Sequence, residues 1–423
     1  MLTKKLFLGL GGLAIAAVPV MSVISCGSNV TNSASETNEV VENGIYVNKE
    51  TGYITKYTGI ESVITIPAQI QGVTIKGVGL NAFKNKGLTS ITIEADLESI
   101  GDYAFANNQL TTLKLSKTIN SIGKNAFENN QITSLEFTTP ATTDTVVGLE
   151  DQNGLPKELQ TIGDAAFRGN QISSLVLPES VISLGKQSFE NNAIESIIFG
   201  GNKVKTIEEN AFKNNRISLI SLPQSLTKIG NFAFAKNKIS SLVIPNEVTT
   251  IGSYAFQENQ ISSLVLGLNL TSIGSYAFDG NKIQSLVIPD CVVTIGASAF
   301  SSNVIDQLTL GSGIKKISSS AFANNKIRSL IIPNSVTTIG SLAFANNSIN
   351  ELKLGTSVKR IEDEAFKFNK LVNVEFPSSV TFIGDNAFNH NEIKSVTLSL
   401  ACEITENDEA INSFDKGVII NRI

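Results

Sequence analysis

The feature that leaves this chain the fewest options is its own repetition. Phenylalanine, usually after alanine, recurs as Phe83, Phe105, Phe127, Phe167, Phe189, Phe212, Phe234, Phe256, Phe278, Phe300, Phe322, Phe344, Phe366 and Phe388. Most steps are 22 residues; the exceptions are 40 residues before Phe167 and 23 before Phe212. A length of 423 residues would otherwise suggest two or three globular domains, but a fixed internal period implies stacked units instead.

One clean unit shows how such a stack would hold. Its inward apolar positions are Leu270, Ile273, Ala277, Phe278, Ile283, Leu286 and Ile288. The last two alternate with Ser285 and Val287, so Leu286 and Ile288 point inward from a short strand while Ser285 and Val287 point out. So few apolar side chains cannot offset the entropy of ordering a whole unit, so a lone repeat cannot fold and stability must come from stacking. A period of about 20 to 29 residues with regularly placed Leu and Ile is that of leucine-rich-repeat solenoids. The expected fold is such a solenoid: about fourteen 22-residue coils, one strand from each in a curved parallel sheet, with an irregular or short-helical convex side.

Three polar or backbone signals ride on this period. Asn stands three residues after the Phe in thirteen units, from Asn108 to Asn391, and Lys86 replaces it in the first. A binding ladder is one reading. The stronger one is a buried amide that satisfies backbone groups of its own turn and of the neighbouring coil. Gly stands four residues before the Phe, as in Gly101, Gly123, Gly252 and Gly340, and suits a tight turn. It becomes Glu208, Ser318 or Glu362 in three units, so a positive φ is not required there. After the strand, Pro245, Gly267, Pro289, Gly311, Pro333, Gly355 and Pro377 alternate, a 44-residue period that implies growth by duplicated pairs. Proline there ends strand pairing.

The N-terminal residues read as targeting rather than structure. Lys4 and Lys5 precede an apolar run from Leu6 to Met21, and Val23-Ile24-Ser25-Cys26 closes it. That tetrapeptide resembles the lipobox of bacterial lipoprotein signal peptides. The resemblance implies cleavage after residue 25, lipidation of Cys26 and anchoring to a lipid bilayer through its acyl chains. The alternative is an uncleaved apolar anchor. Residues 26–44, poor in large apolar side chains, are expected to be a disordered tether. Loss of the leader removes two lysines and no acid, which takes the formal net charge from -5 to -7. Nucleic acid is therefore not an expected partner. Cys291 and Cys402 lie five coils apart, more than about 20 Å, and are expected to be packed thiols rather than a disulfide.

The run Ile331-Ile332-Pro333-Asn334-Ser335-Val336-Thr337-Thr338-Ile339-Gly340, with Ala343 and Phe344 following, closely resembles the BspA-type leucine-rich-repeat family of bacterial surface proteins. The likeness covers about residues 45 to 400. It implies a capping hairpin within residues 45–75, repeats over 76–400 with an insertion at 138–155, and a C-terminal cap over 401–423. Within that cap, Thr405 to Gly417 reads as an acidic helix-like stretch before a final strand at Val418 to Ile420. The family's members are implicated in adhesion. The resemblance thus implies a surface location and a protein partner: a host or matrix protein, or another cell surface.

Catalytic chemistry finds little to work with. His390 is the single histidine and reads as a surface residue. No phosphate loop, zinc-spaced cluster, calcium loop or nucleophile elbow is present, and no cofactor or metal is expected. The carboxylate pairs Glu208-Glu209 and Glu362-Asp363-Glu364 recur at one turn and read as solvated edge charges, so the chain is not read as an enzyme. The outward strand positions are the candidates for binding. One column is mostly serine: Ser174, Ser196, Ser241, Ser263, Ser285 and Ser329. Its neighbour carries Val176, Ile198, Val243, Val265, Val287 and Ile331, with Ser221 and Thr309 interrupting. An exposed aliphatic stripe of that length suggests a protein-binding face; equally, β-branched residues simply suit strands. The insertion, with Asp144, Glu150 and Asp151, is a second candidate, or else an eroded repeat. The leading expectation is an adhesion or protein-binding module; the alternative is a structural coat or cell-to-cell spacer without a specific ligand.

Overall fold

A computed structural model describes residues 38–116, 118–138, 158–407 and 410–423. Cys26 and the insertion residues Asp144, Glu150 and Asp151 lie outside them.

Most coils make two strands, not the single one expected; the coil after Phe366 keeps only Phe382–Ile383, with a lone bridge at Glu375. In the coil that follows Phe278, Ser285–Val287 is the longer strand and Thr294–Ile295 a two-residue one. The segment around the Phe then turns the chain back. No helix occurs among the described residues, so the convex side is short strands and turns rather than short helices. The backbone says why. The residues two before and two after every repeat Phe hold left-handed conformations, for example Tyr276 at φ 57 and Gly280 at φ 70 around Phe278. An α-helix cannot absorb residues of that hand at such spacing.

The core is one continuous column. From Phe83 to Phe414 the successive rings stack with centroids 5.0 to 5.6 Å apart. Tyr57 extends the ladder at one end, 5.4 Å from Phe83, and Phe414 at the other, 5.3 Å from Phe388. The stack therefore runs to about sixteen turns rather than fourteen, the outer two being caps without the repeat motif.

The asparagine ladder is structural. Asn281 is 6% exposed. Its Nδ2 donates to the carbonyls of Phe256, one coil back, at 2.9 Å and of Phe278 at 3.1 Å. Its Oδ1 accepts the Ile261 N–H at 3.0 Å. The amide reaches backwards, so the first unit has no Phe carbonyl behind it to serve, and Lys86 stands there without loss. At the far end Asp415 ends the ladder, its carboxylate accepting the N–H groups of His390 and Asn391 at 2.8 and 3.0 Å.

The glycine before each Phe is a stacking device rather than a turn device. Its φ is not positive; what matters is the coil behind it. A Cβ on Gly252 would fall 2.6 Å from the Asn231 nitrogen and from the Gly230 carbonyl carbon. That approach lets the Gly252 N–H donate to the Ile229 carbonyl at 2.8 Å. Where Glu208 and Ser318 replace the glycine, the ladder of short strands breaks, between Ser183–Leu184 and Thr206–Ile207 and between Thr294–Ile295 and Lys316–Ile317. Ser318 offers its hydroxyl instead, 2.6 Å from the Ile295 carbonyl. Glu362 is accommodated without a break, its N–H reaching the Ile339 carbonyl at 2.9 Å; the structure gives no reason for that difference.

The longer strands do not form one curved sheet. From Ser241 on they pair in twos, Ser241–Val243 with Ser263–Val265, Ser285–Val287 with Gln307–Thr309 and Ser329–Ile331 with Glu351–Lys353, whereas Ser174–Leu177, Ser196–Phe199 and Leu219–Ile220 form a sheet of three. The proline and glycine alternation accounts for this. A Cβ on Gly267 would overlap the Pro245 carbonyl, and one on Gly311 the Pro289 carbonyl, so each glycine coil settles close on the proline coil before it. From Ser241 on, the next coil brings a proline, which has no N–H to give back, and a seam opens; Leu219–Ile220, ahead of Pro223, keeps its pairing with Ser196–Phe199.

The ends depart from expectation in two places. Glu39–Glu42, inside the expected tether, is a strand paired antiparallel with Ile45–Asn48, and its Val40 is buried. Pairing and one apolar side chain suffice to order a segment that composition alone reads as loose. The expected helix-like stretch after Thr405 instead holds the antiparallel strands Glu406–Asn407 and Ala410–Ile411 and then Phe414. A helix there would take Phe414 off the ring ladder. The last strand, Ile419–Arg422, pairs parallel with Ser395–Leu398, and Arg422 covers the end by donating to the Ser399 and Cys402 carbonyls at 3.1 and 2.6 Å. A charged side chain on an edge strand discourages further strand addition.

Candidate functional site on the strand face

Strand register fixes the site. Because the paired strands are parallel and in step, Ser174 lies beside Ser196 and Val176 beside Ile198. Likewise Ser241 adjoins Ser263 and Val243 adjoins Val265, while Ser285 and Val287 meet Gln307 and Thr309. Ser329 and Ile331 meet Glu351 and Lys353. The serines Ser174, Ser196, Ser241, Ser263, Ser285 and Ser329 are all exposed. Val176, Ile198, Val243, Val265, Val287 and Ile331 are between 54% and 63% exposed. Both columns are thus brought together on one surface.

The aliphatic column has charged ends. Toward the N-terminal end its positions hold Lys114 and Glu136, ion-paired at 3.3 Å, and toward the other Lys353 and Glu375, joined by a parallel bridge. An apolar centre with a polar rim is the arrangement of protein contact surfaces. The coil after Phe212 inverts the pattern: Leu219 occupies the serine column, 69% exposed, and Ser221 the aliphatic one.

The seams between strand pairs become grooves on this face. The largest, about 990 Å³, spans Ser263–Val265 and Ser285–Val287 and extends to Asp290, Asp306 and Gln307. Smaller ones of about 700 and 500 Å³ lie over the breaks before Ser174–Leu177 and before Ser241–Val243, and one of about 380 Å³ lies over the paired strands Ser329–Ile331 and Glu351–Lys353. Sequence reasoning named the serines and valines but not Gln284, Asp290 and Asp306. The available signal was the position just before the serine column, where Ser262 gives way to Gln284 and then Asp306.

Electrostatics add two particulars. Asp290 sits below the usual carboxylate range because the Ser312 N–H and hydroxyl both donate to it, at 2.7 and 3.0 Å. The Oδ1 of Asp306 is buried and has no hydrogen-bond partner. Elsewhere, burial raises the Cys402 thiol and burial also raises Asp279. Cys291, partly buried at the rim of the largest groove, and Cys402 are both free thiols. His390 is exposed and stacks on Phe368 at 4.3 Å. Among the described residues no cluster of three or more His, Cys, Asp or Glu could hold a metal ion.

The family described as "BspA type Leucine rich repeat region" matches over residues 74–145, 151–262, 227–350 and 337–412, in six copies. A leucine rich cell surface protein of Faecalibacterium prausnitzii is similar at 21% identity and a TM-score of 0.46, over 92% of this chain and 96% of that one. A leucine-rich repeat protein of Bacteroides ovatus is similar at 20% identity and a TM-score of 0.42, over 91% and 97%. The pneumococcal vaccine antigen PcpA is similar at 17% identity and a TM-score of 0.45, over 91% and 87%. No curated relative matches the chain. The family match spans well over half the sequence and falls on the coils whose Phe, Asn and Gly columns build the stack: this chain belongs to the BspA-type leucine-rich-repeat family.

Proposed function

We propose that this chain is a protein-binding module displayed at a bacterial surface, making contact through the outward columns between Ser174 and Ile331. The observation that carries this is the alignment of Val243, Val265 and Val287 on successive coils, each more than half exposed. Aliphatic side chains held in register at this exposure gain by being covered, roughly 25 cal/mol for each Å² of apolar surface removed from water. In this reading the partner is a host or matrix protein or another cell surface, and the role is adhesion.

The test is a triple substitution, Val243→Glu, Val265→Glu and Val287→Glu, in a chain beginning at residue 38. All three side chains point to solvent, so the variant should melt as the parent does. Binding to matrix-coated surfaces or cells should fall by about tenfold or more, since buried unpaired charge is costly. Undiminished binding would remove the strand face from the proposal.

Cys26 is proposed as the site of attachment, its acyl chains holding the solenoid at a bilayer. Cys26→Ala should move the protein from the membrane fraction to the medium and abolish incorporation of a labelled fatty acid. Retention of label in the variant would place any lipid elsewhere.

A further inference from the structure

The seam between Ser263–Val265 and Ser285–Val287 differs from its neighbours in chemistry as well as size. Its groove, about 990 Å³, has an aliphatic floor of Val265, Val287 and Leu268. Carboxylates stand on opposite rims: Asp306 before the strand Gln307–Thr309 and Asp290 just after Pro289. No lysine or arginine lines it. Asp290 is held ionised by Ser312, and Asp306 carries a buried oxygen that nothing in the chain satisfies. A buried acceptor without a partner is costly unless a donor arrives.

We propose that this groove receives an extended peptide segment of the partner, bearing a basic side chain at each end and apolar side chains between. Asp306 lies level with Gln284, and the path from Gln284 to Asp290 is six residues long with Ser285–Val287 as its strand, so it spans at most roughly 20 Å. In an extended segment, residues an even number apart face the same way, so two lysines about six apart reach both carboxylates. The apolar side chains between them lie against Val265 and Val287, which stand side by side at one level of the two strands. This inference rests on the protein-binding reading of the strand face and specifies what one part of it takes.

The probes are two fluorescent peptides, Lys-Ser-Val-Ser-Val-Ser-Lys and Glu-Ser-Val-Ser-Val-Ser-Glu, titrated with the chain beginning at residue 38. The lysine peptide should bind and the glutamate peptide should not. The double variant Asp290→Asn and Asp306→Asn preserves side-chain shape and the acceptor for Ser312, and should weaken the lysine peptide about tenfold. A control with the same change in net charge, Glu50→Gln and Glu61→Gln, should leave it unchanged. Equal binding of both peptides, equal loss in the control, or no loss in the double variant each overturns the proposal. If the aspartate variants keep the lysine peptide while the Val243, Val265 and Val287 variant loses its matrix partner, the binding face stands and the basic-peptide groove falls.

Discussion

Replacing Asn281 with leucine should lower stability by about 2–4 kcal/mol, although the two side chains are close in size. The Ile261 N–H would lose its only partner inside the core, and the carbonyls of Phe256 and Phe278 would each lose one of two amide donors. An unsatisfied buried donor costs about 1–3 kcal/mol, and the apolar gain of leucine does not replace its bond. Because coils interact with their neighbours, the loss should appear first as local opening. Hydrogen exchange should show faster exchange in the coils around Phe256 and Phe278 than in those around Phe105. Uniform exchange along the chain, with an unchanged melting temperature, would show that the ladder contributes nothing beyond its position.

Gly252→Val should destabilise by about 1–3 kcal/mol, because a Cβ there meets the backbone of the coil behind. Ser318→Val, at the equivalent position where a Cβ is already accommodated, should cost no more than about 1.5 kcal/mol, the loss of one hydroxyl bond to the Ile295 carbonyl. The contrast separates two explanations of the glycine column. If it served a turn conformation, both coils would share the requirement. If it serves close approach, only the coil that already lacks a Cβ suffers. Thermal melts of the two variants decide it, and equal losses would favour the turn.

The placement of residues within a coil was legible in the sequence, because inside and outside are set by strict periodicity. Leu286 and Ile288 had to be buried if Ser285 and Val287 were not, and the Phe column could only stack on itself. The role of Asn281 was legible for a similar reason: an amide recurring every 22 residues beside the core has backbone groups of each coil to satisfy. The left-handed residues were not legible. Asn85, Asn107 and Asn129 hint at them, but Phe232, Tyr254 and Tyr276 hold the same conformation with side chains that disfavour it. Their rings stack at 4.5 and 4.8 Å, a contact between coils that no single unit reveals.

The period, the inward and outward alternation and the exposed Ser and Val columns were determined by sequence alone, since each is a property of one coil repeated. What the tertiary structure decided lies between coils. From Ser241 on, the strands pair in twos because Gly267 admits the Pro245 carbonyl while Pro289 has no N–H to offer, and the short-strand ladder breaks where Ser318 carries a Cβ. From those seams come the grooves, and one of about 990 Å³ carries Asp290 and Asp306 on its opposite rims. Contacts between coils depend on how closely two backbones approach, and a chain read one residue at a time does not contain that distance.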